Sequence, residues 1–368
     1  MRLPRQAIPI AVAAILALAP ASAAGEVKFK IDGRGFGHGI GMSQWGAYGL
    51  AKDGKGYAKI LAHYYRGTEL GERRNQSVRV LLDVRGGRVE FGNARKACGE
   101  RIDPDKTYAA QLNRSGVRLE GAGGPLAACG DTLTAKGAGG KIRIDGEGNF
   151  RGDLVAASSN GALNVVNSLG LNAYVAGVVP GEMPTSWPAD ALRAQAVAAR
   201  TYALATDVGG DGFDQYSDTR SQVYGGLETE TPTTNRAVEE TADQVVTYSG
   251  EVAVTYYSST SGGQTENVEN VFLGAEPKPW LVSVRDPADA ASPLHRWSET
   301  YTRAEMEDRL SGLLKGKLLG IRVDKTGRSP RIVRATVLGS GGNKSVSGPE
   351  LQGHLGLLST WARFKLIR

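Results

Sequence analysis

One carboxylate stands out by its setting. In Val179-Pro180-Gly181-Glu182-Met183-Pro184, Glu182 sits between two prolines, each of which fixes φ and so limits the freedom of the backbone that carries it. Met183 and Trp187 can shield it from water, which would raise its pKa and keep it protonated near neutral pH, as a general acid must be. The plainer alternative is a solvated turn glutamate.

A second cluster runs from Gly33 to Gly46, where five glycines alternate with other residues and His38, Ser43 and Gln44 offer polar groups. Alternating glycines let a backbone take positive φ or approach a ligand closely; a tight packing loop is the competing reading. A dinucleotide fingerprint fails because His38 and Ile40 occupy the third-glycine positions, and a nucleophile elbow fails because Trp45 stands where glycine is needed. Four histidines without H-E-x-x-H or an i, i+4 pair make a zinc protease hard to build. Ser221 to Gly226, with Gln222 and Tyr224, and Tyr256 to Asn267, with Ser258 and Ser259, mix hydroxyls and amides with aromatic rings. Such surfaces suit sugars, whose hydroxyls need partners and whose CH faces need rings, although each run is also ordinary loop composition.

These residues need elements to hold them. Tyr57, Ile60, Leu61 and Tyr64 share one helical face. Val179 to Trp187 reads as a loop, and Pro188 opens a helix over Ala189 to Ala205. Arg193 and Arg200, seven apart, point to one side of it; sugar contact and a salt-bridged helix face are the two readings. Short β-rich runs separated by glycines fill 76–150, Val245 to Tyr248 and Val252 to Tyr257 suggest a hairpin, and Thr302-Arg303-Ala304-Glu305 is a capping box. Strands and helices mix without βαβ alternation, which predicts an α+β fold. The expected organisation is a signal peptide at 1–23, a glycine-histidine segment at 24–75, a β-rich inserted domain at 76–152, a core at 153–290 and an α+β completion at 291–368.

The chain has 368 residues, enough for two or three packed domains, and 22% charged residues without a long charge run, which excludes a disordered chain. Residues 1–23 follow the basic, apolar, A-x-A order of a secretory signal. No later stretch approaches 18 uncharged apolar residues, so an extracytoplasmic chain without a membrane span is expected. Without Arg2 and Arg5 the net charge falls from +6 to +4, an excess that suits an anionic envelope but is no footprint for nucleic acid. In an oxidising compartment Cys98 and Cys129 are expected to pair; a buried free pair is the alternative.

Taken together, these segments resemble the SpoIID/LytB family of bacterial cell-wall proteins. The resemblance is carried by Leu171 to Pro184, Trp187-Pro188, Ala191 to Ala203, Gln222 to Gly226, Tyr256 to Gly263 with Thr265-Glu266-Asn267, and Gly37 to Gln44. It implies a lytic transglycosylase acting on peptidoglycan glycan strands, or a wall-binding enhancer of a partner amidase. It makes Glu182 the catalytic acid/base, with His38, Ser43, Gln44, Arg193, Arg200, Gln222, Tyr224, Ser258 and Ser259 as substrate contacts. Some members have Cys before Gln-Val-Tyr and hold zinc there; Ser221 occupies that place, so no metal and no other cofactor is expected. A hydrolase using Glu266 or Asp218 as second carboxylate is a third reading.

Overall fold

A computed structural model describes residues 27–367; the signal-peptide reading of 1–23 lies outside them. The fold is α+β. Five helices matter to the site: α1 (Gln44–Lys52), α2 (Tyr57–Tyr64), α3 (Leu171–Glu182), α4 (Ala189–Ala205) and α5 (Pro232–Glu240). The predicted apolar face of α2 buries Ile60, Leu61 and Tyr64. α4 occupies the predicted span, with Pro188 as its N-cap residue. Alanine fills most of its buried positions, so neighbouring helices approach it closely.

Most strands build two sheets, antiparallel except for Gln215–Tyr216, which runs parallel to Ser77–Arg85. One has six strands between Arg88 and Arg151, and the other has seven, ordered along Gln215–Tyr216, Ser77–Arg85, Ala162–Gly170, Asp153–Ser159, Thr132–Gly137, Ala94–Ala97 and Glu100–Arg101. The second sheet carries across residue 152, because Asp153–Ser159 pairs with Thr132–Ala135 and Ala162–Gly170 pairs with Ser77–Arg85. The β-rich segment and the helical core therefore share a sheet and one continuous apolar core. Cys98 and Cys129 are joined, with Cα atoms 5.4 Å apart. A cross-link closing about 30 residues stabilises a fold by roughly 2–4 kcal/mol. The predicted hairpin is shorter than expected: of its second strand only Glu251–Val252 pairs with Gln244–Tyr248, whose other edge pairs with Glu69–Glu72.

A second core, around Phe29, Ile31, Met306, Leu310 and Leu351, belongs to both chain ends. Lys28–Gly33 lies between Trp297–Thr302 and Ala362–Ile367, antiparallel to both. Thr302 caps the helix Arg303–Arg309 through the predicted capping box with Glu305. The glycine-histidine segment thus leaves one core and enters α1 in the other.

Candidate active site

Glu182 is the last residue of α3, a correction to the loop expected from Val179 onward. The helix is carried through Pro180 because its apolar stretch to Val179 is mostly buried, which outweighs the one backbone hydrogen bond that the proline cannot donate. Met183, 1% exposed, ends it by donating its N–H to the Val179 carbonyl at 3.0 Å. Glu182 Oε1 accepts the Val223 N–H at 2.9 Å, and Oε2 accepts Gln44 Nε2 at 3.2 Å. Burial pushes the carboxyl above the usual carboxylate range; the donors from Val223, Gln44 and Tyr257 oppose that shift without cancelling it. A raised carboxyl keeps its proton to higher pH than an ordinary glutamate, the direction a general acid needs.

Gln44 reaches Glu182 because of the glycine loop. Gly35, Gly37, Gly39 and Gly41 all have φ between +66° and +97°, so the loop takes a left-handed step at every second residue. It runs beside Tyr257 to Thr260: Phe36 and Thr260 exchange backbone hydrogen bonds at 2.9 and 3.0 Å, and Met42-Ser43 pairs in parallel with Tyr257-Ser258. At Gly41 a Cβ would overlap the Tyr256 carbonyl oxygen, and at Gly39 the Arg331 guanidinium. Only glycine permits this approach.

Loop, helix end and Val223 together enclose a cleft of about 350 Å³. His38, Gln44, Glu182, Ser258 and Ser259 all line it. So do Phe36, Thr219, Val223 and Tyr257, which the sequence did not single out; Phe36, Val223 and Tyr257 lie inside the motifs named above, but nothing local distinguishes them. His38 Nδ1 accepts the Ile40 N–H at 3.0 Å, and burial beside Arg331 pushes the imidazole down to about 4. It is therefore neutral at physiological pH and contributes polarity, not charge. The lining offers one imidazole and one carboxylate, with the Ser221 hydroxyl where a thiolate would be, and this donor set does not fit zinc.

Five predicted contacts lie elsewhere. Ser43 is 1% exposed, caps α1 by accepting the Gly46 N–H, and donates to Asp289 at 2.6 Å. Arg193 and Arg200 do share a face of α4, but that face meets α5: Arg193 pairs with Glu240 and Asp190, and Arg200 bonds the Val238 and Gln244 carbonyls and Asn172. Arg200 is fully buried, and desolvation brings it down to about 10. Tyr224 stacks on Tyr174 and Phe150 and donates to Asn167 at 2.7 Å, inside the core. Gln222 is buried behind the cleft, accepting from Tyr174 and donating to the Tyr257 hydroxyl at 2.7 Å. It orients Tyr257 toward Glu182 and has no surface for a ligand.

The alternative carboxylates are also placed. Glu266 is fully buried and its oxygens accept from Asn267, Asn270, Arg328 and Ser329. Asp218 is exposed and paired with Arg220. Behind the loop, Asp286 accepts from Tyr64 and Ser261 next to the buried Asp289, and burial together with that neighbour raises it to about 7. Its folded value lies above the unfolded one, so its stabilising contribution is full below pH 4 and lost as pH rises through about 7. Unfolding titrations at pH 5 and 8 should therefore show a loss of roughly 3 kcal/mol, largely abolished in Asp286→Asn.

Residues 159–248, which contain Glu182 and Val223, match the family model described as Stage II sporulation protein, SpoIID. Over these residues the chain is similar to the SpoIID domain. Relatives include an uncharacterized protein of Brachyspira hyodysenteriae, 41% identical over 131 residues, 35% of this chain and 36% of that protein. The amidase enhancer of Bacillus subtilis is 37% identical over 38% of this chain and 18% of its own length. The stage II sporulation protein D of the same organism is 32% identical over 54% of this chain and 62% of its own. The chain thus matches less than two thirds of the length of each. The SpoIID match supplies α3, α4 and α5, whereas the glycine-histidine loop, Tyr257, Ser258 and Ser259 come from outside it.

Proposed function

We propose that the protein is an exported peptidoglycan lytic transglycosylase with Glu182 as its single acid and base. The observation that carries this reading is that Glu182 is the one carboxylate among the described residues lining the cleft. Most glycosidases need two carboxylates flanking the bond. A transglycosylase needs one, because the 6-hydroxyl of N-acetylmuramic acid attacks its own anomeric carbon and no water has to be activated. Glu182 protonates the glycosidic oxygen as the bond to N-acetylglucosamine breaks, and its carboxylate then accepts the 6-hydroxyl proton as the 1,6-anhydro ring closes. The Val223 N–H and Gln44 amide hold the carboxylate in the second half of the cycle. His38, Ser258 and Ser259 supply sugar contacts, and Phe36, 43% exposed, supplies an apolar face.

Digestion of purified peptidoglycan followed by mass spectrometry tests the reading: anhydro ends are expected, and reducing ends would replace it with hydrolysis. Because the acid must start protonated, the rate should fall as pH rises through the elevated Glu182 pKa. The alkaline limb of the profile then lies above the ordinary carboxylate range. The name of the Bacillus subtilis amidase enhancer supports a second reading, a wall-binding partner of an amidase. Sedimentation with the wall without any release of glycan fragments would favour it.

A further inference from the structure

The sheet that holds the N-terminal strand opens, where the chain leaves for the glycine loop, into a cavity of about 460 Å³. Arg34, Arg296 and Arg363 line it beside Trp297 and Trp361. Its one carboxylate, Asp32, is already held by Lys30 at 2.9 Å and Lys365 at 3.4 Å. Among the described residues none of the three arginines has a carboxylate partner, and Arg34 lies 5.2 Å from the centre of the Trp361 ring. Desolvation, and after it the charges of Arg296 and Arg363, disfavour the Arg34 cation. Arg296 and Arg363 are exposed, and with Arg34 they line one concave wall that also carries two indoles. Gly33 allows this, since any Cβ there would overlap the Trp297 ring.

Only Gly35 separates Arg34 in this cavity from Phe36 in the cleft, at most about 7 Å of chain. A polymer lying in the cleft would present its next groups to the arginines. We propose that this pocket is an anion subsite taking a carboxylate carried by the same glycan strand that the cleft holds. Guanidinium groups bind the carboxylate and the exposed part of Trp297 covers an apolar face beside it. The inference rests on the glycan reading of the cleft. The carboxylate has two sources on such a strand, the acid side chain of the sugar itself and the peptide attached to it.

The test uses the full chain and the double substitution Arg296→Ala and Arg363→Ala, both exposed and outside the cleft. Binding to amidase-stripped glycan strands, to peptide-bearing peptidoglycan and to neutral chitin oligosaccharides is measured by sedimentation and calorimetry, and a thermal melt checks the fold. Expected is a loss of about tenfold or more on anionic strands with neutral oligosaccharides unaffected. Loss on stripped strands assigns the sugar acid, and loss on peptide-bearing material alone assigns the peptide. Unchanged binding to both anionic materials overturns the subsite. Wild type that binds through these arginines yet releases no anhydro ends keeps the subsite and removes the cleavage reading.

Discussion

Glu182→Gln should abolish release of anhydro-muropeptides while leaving wall sedimentation intact. The amide oxygen can still accept the Val223 N–H, but the side chain can neither donate a proton to the leaving oxygen nor take one from the 6-hydroxyl. Losing that assistance costs on the order of 10²–10⁴ in rate. Stability should move the other way. The folded carboxyl has a raised pKa, so ionisation destabilises the fold progressively as pH rises through it, and the amide removes this penalty. The variant should melt at or above the wild-type temperature at neutral pH, with the gap closing in acid. Wild-type rates from a correctly folded variant would place the acid elsewhere.

Gly41→Ala should be the most damaging change in the loop, and Gly54→Ala provides its measure. Both glycines have positive φ, +66° and +75°, so both alanines carry the left-handed penalty of about 1–2 kcal/mol. Around Gly54 nothing lies within 4 Å, whereas a Cβ on Gly41 overlaps the Tyr256 carbonyl, which is fixed by donors from Met42 and Tyr65. Overpacking adds roughly 1–3 kcal/mol and moves the loop. Chemical denaturation should separate the two variants by that amount. Cleavage should fall sharply only in Gly41→Ala, because displaced Met42 and Ser43 carry Gln44 away from Glu182. Equal stability of the two would mean that the loop is not pinned at Tyr256.

Local patterns predicted what local physics determines. Pro188 and the alanine spacing marked α4, the apolar spacing marked α2, and Thr302 with Glu305 marked a cap. Glycine alternation at 35, 37, 39 and 41 became four left-handed residues. Two kinds of information were missing. Pro180 signalled a break, yet burial of the preceding turns outweighed it, a tertiary effect invisible to propensity. Periodicity put Arg193 and Arg200 on one face but could not tell a cleft from α5, and the ring of Tyr224 reads alike whether it meets a sugar or Tyr174. The seating of Lys28–Gly33 between strands near the other end of the chain leaves no local trace at all.

That seating has a temporal consequence. Gln44 is aimed at Glu182 by a strap whose upstream anchor is Lys28–Gly33, and that strand pairs with residues up to Ile367. Pairings of such long sequence separation close late, after loop entropy has been overcome. A chain emerging N-terminus first can fold its two large sheets and the helices of the site before Ala362–Ile367 is available. The strap's upstream anchor is then completed last, and a chain interrupted before Ala362 can hold the strap at Tyr256 to Thr260 without one of the two strands that flank that anchor.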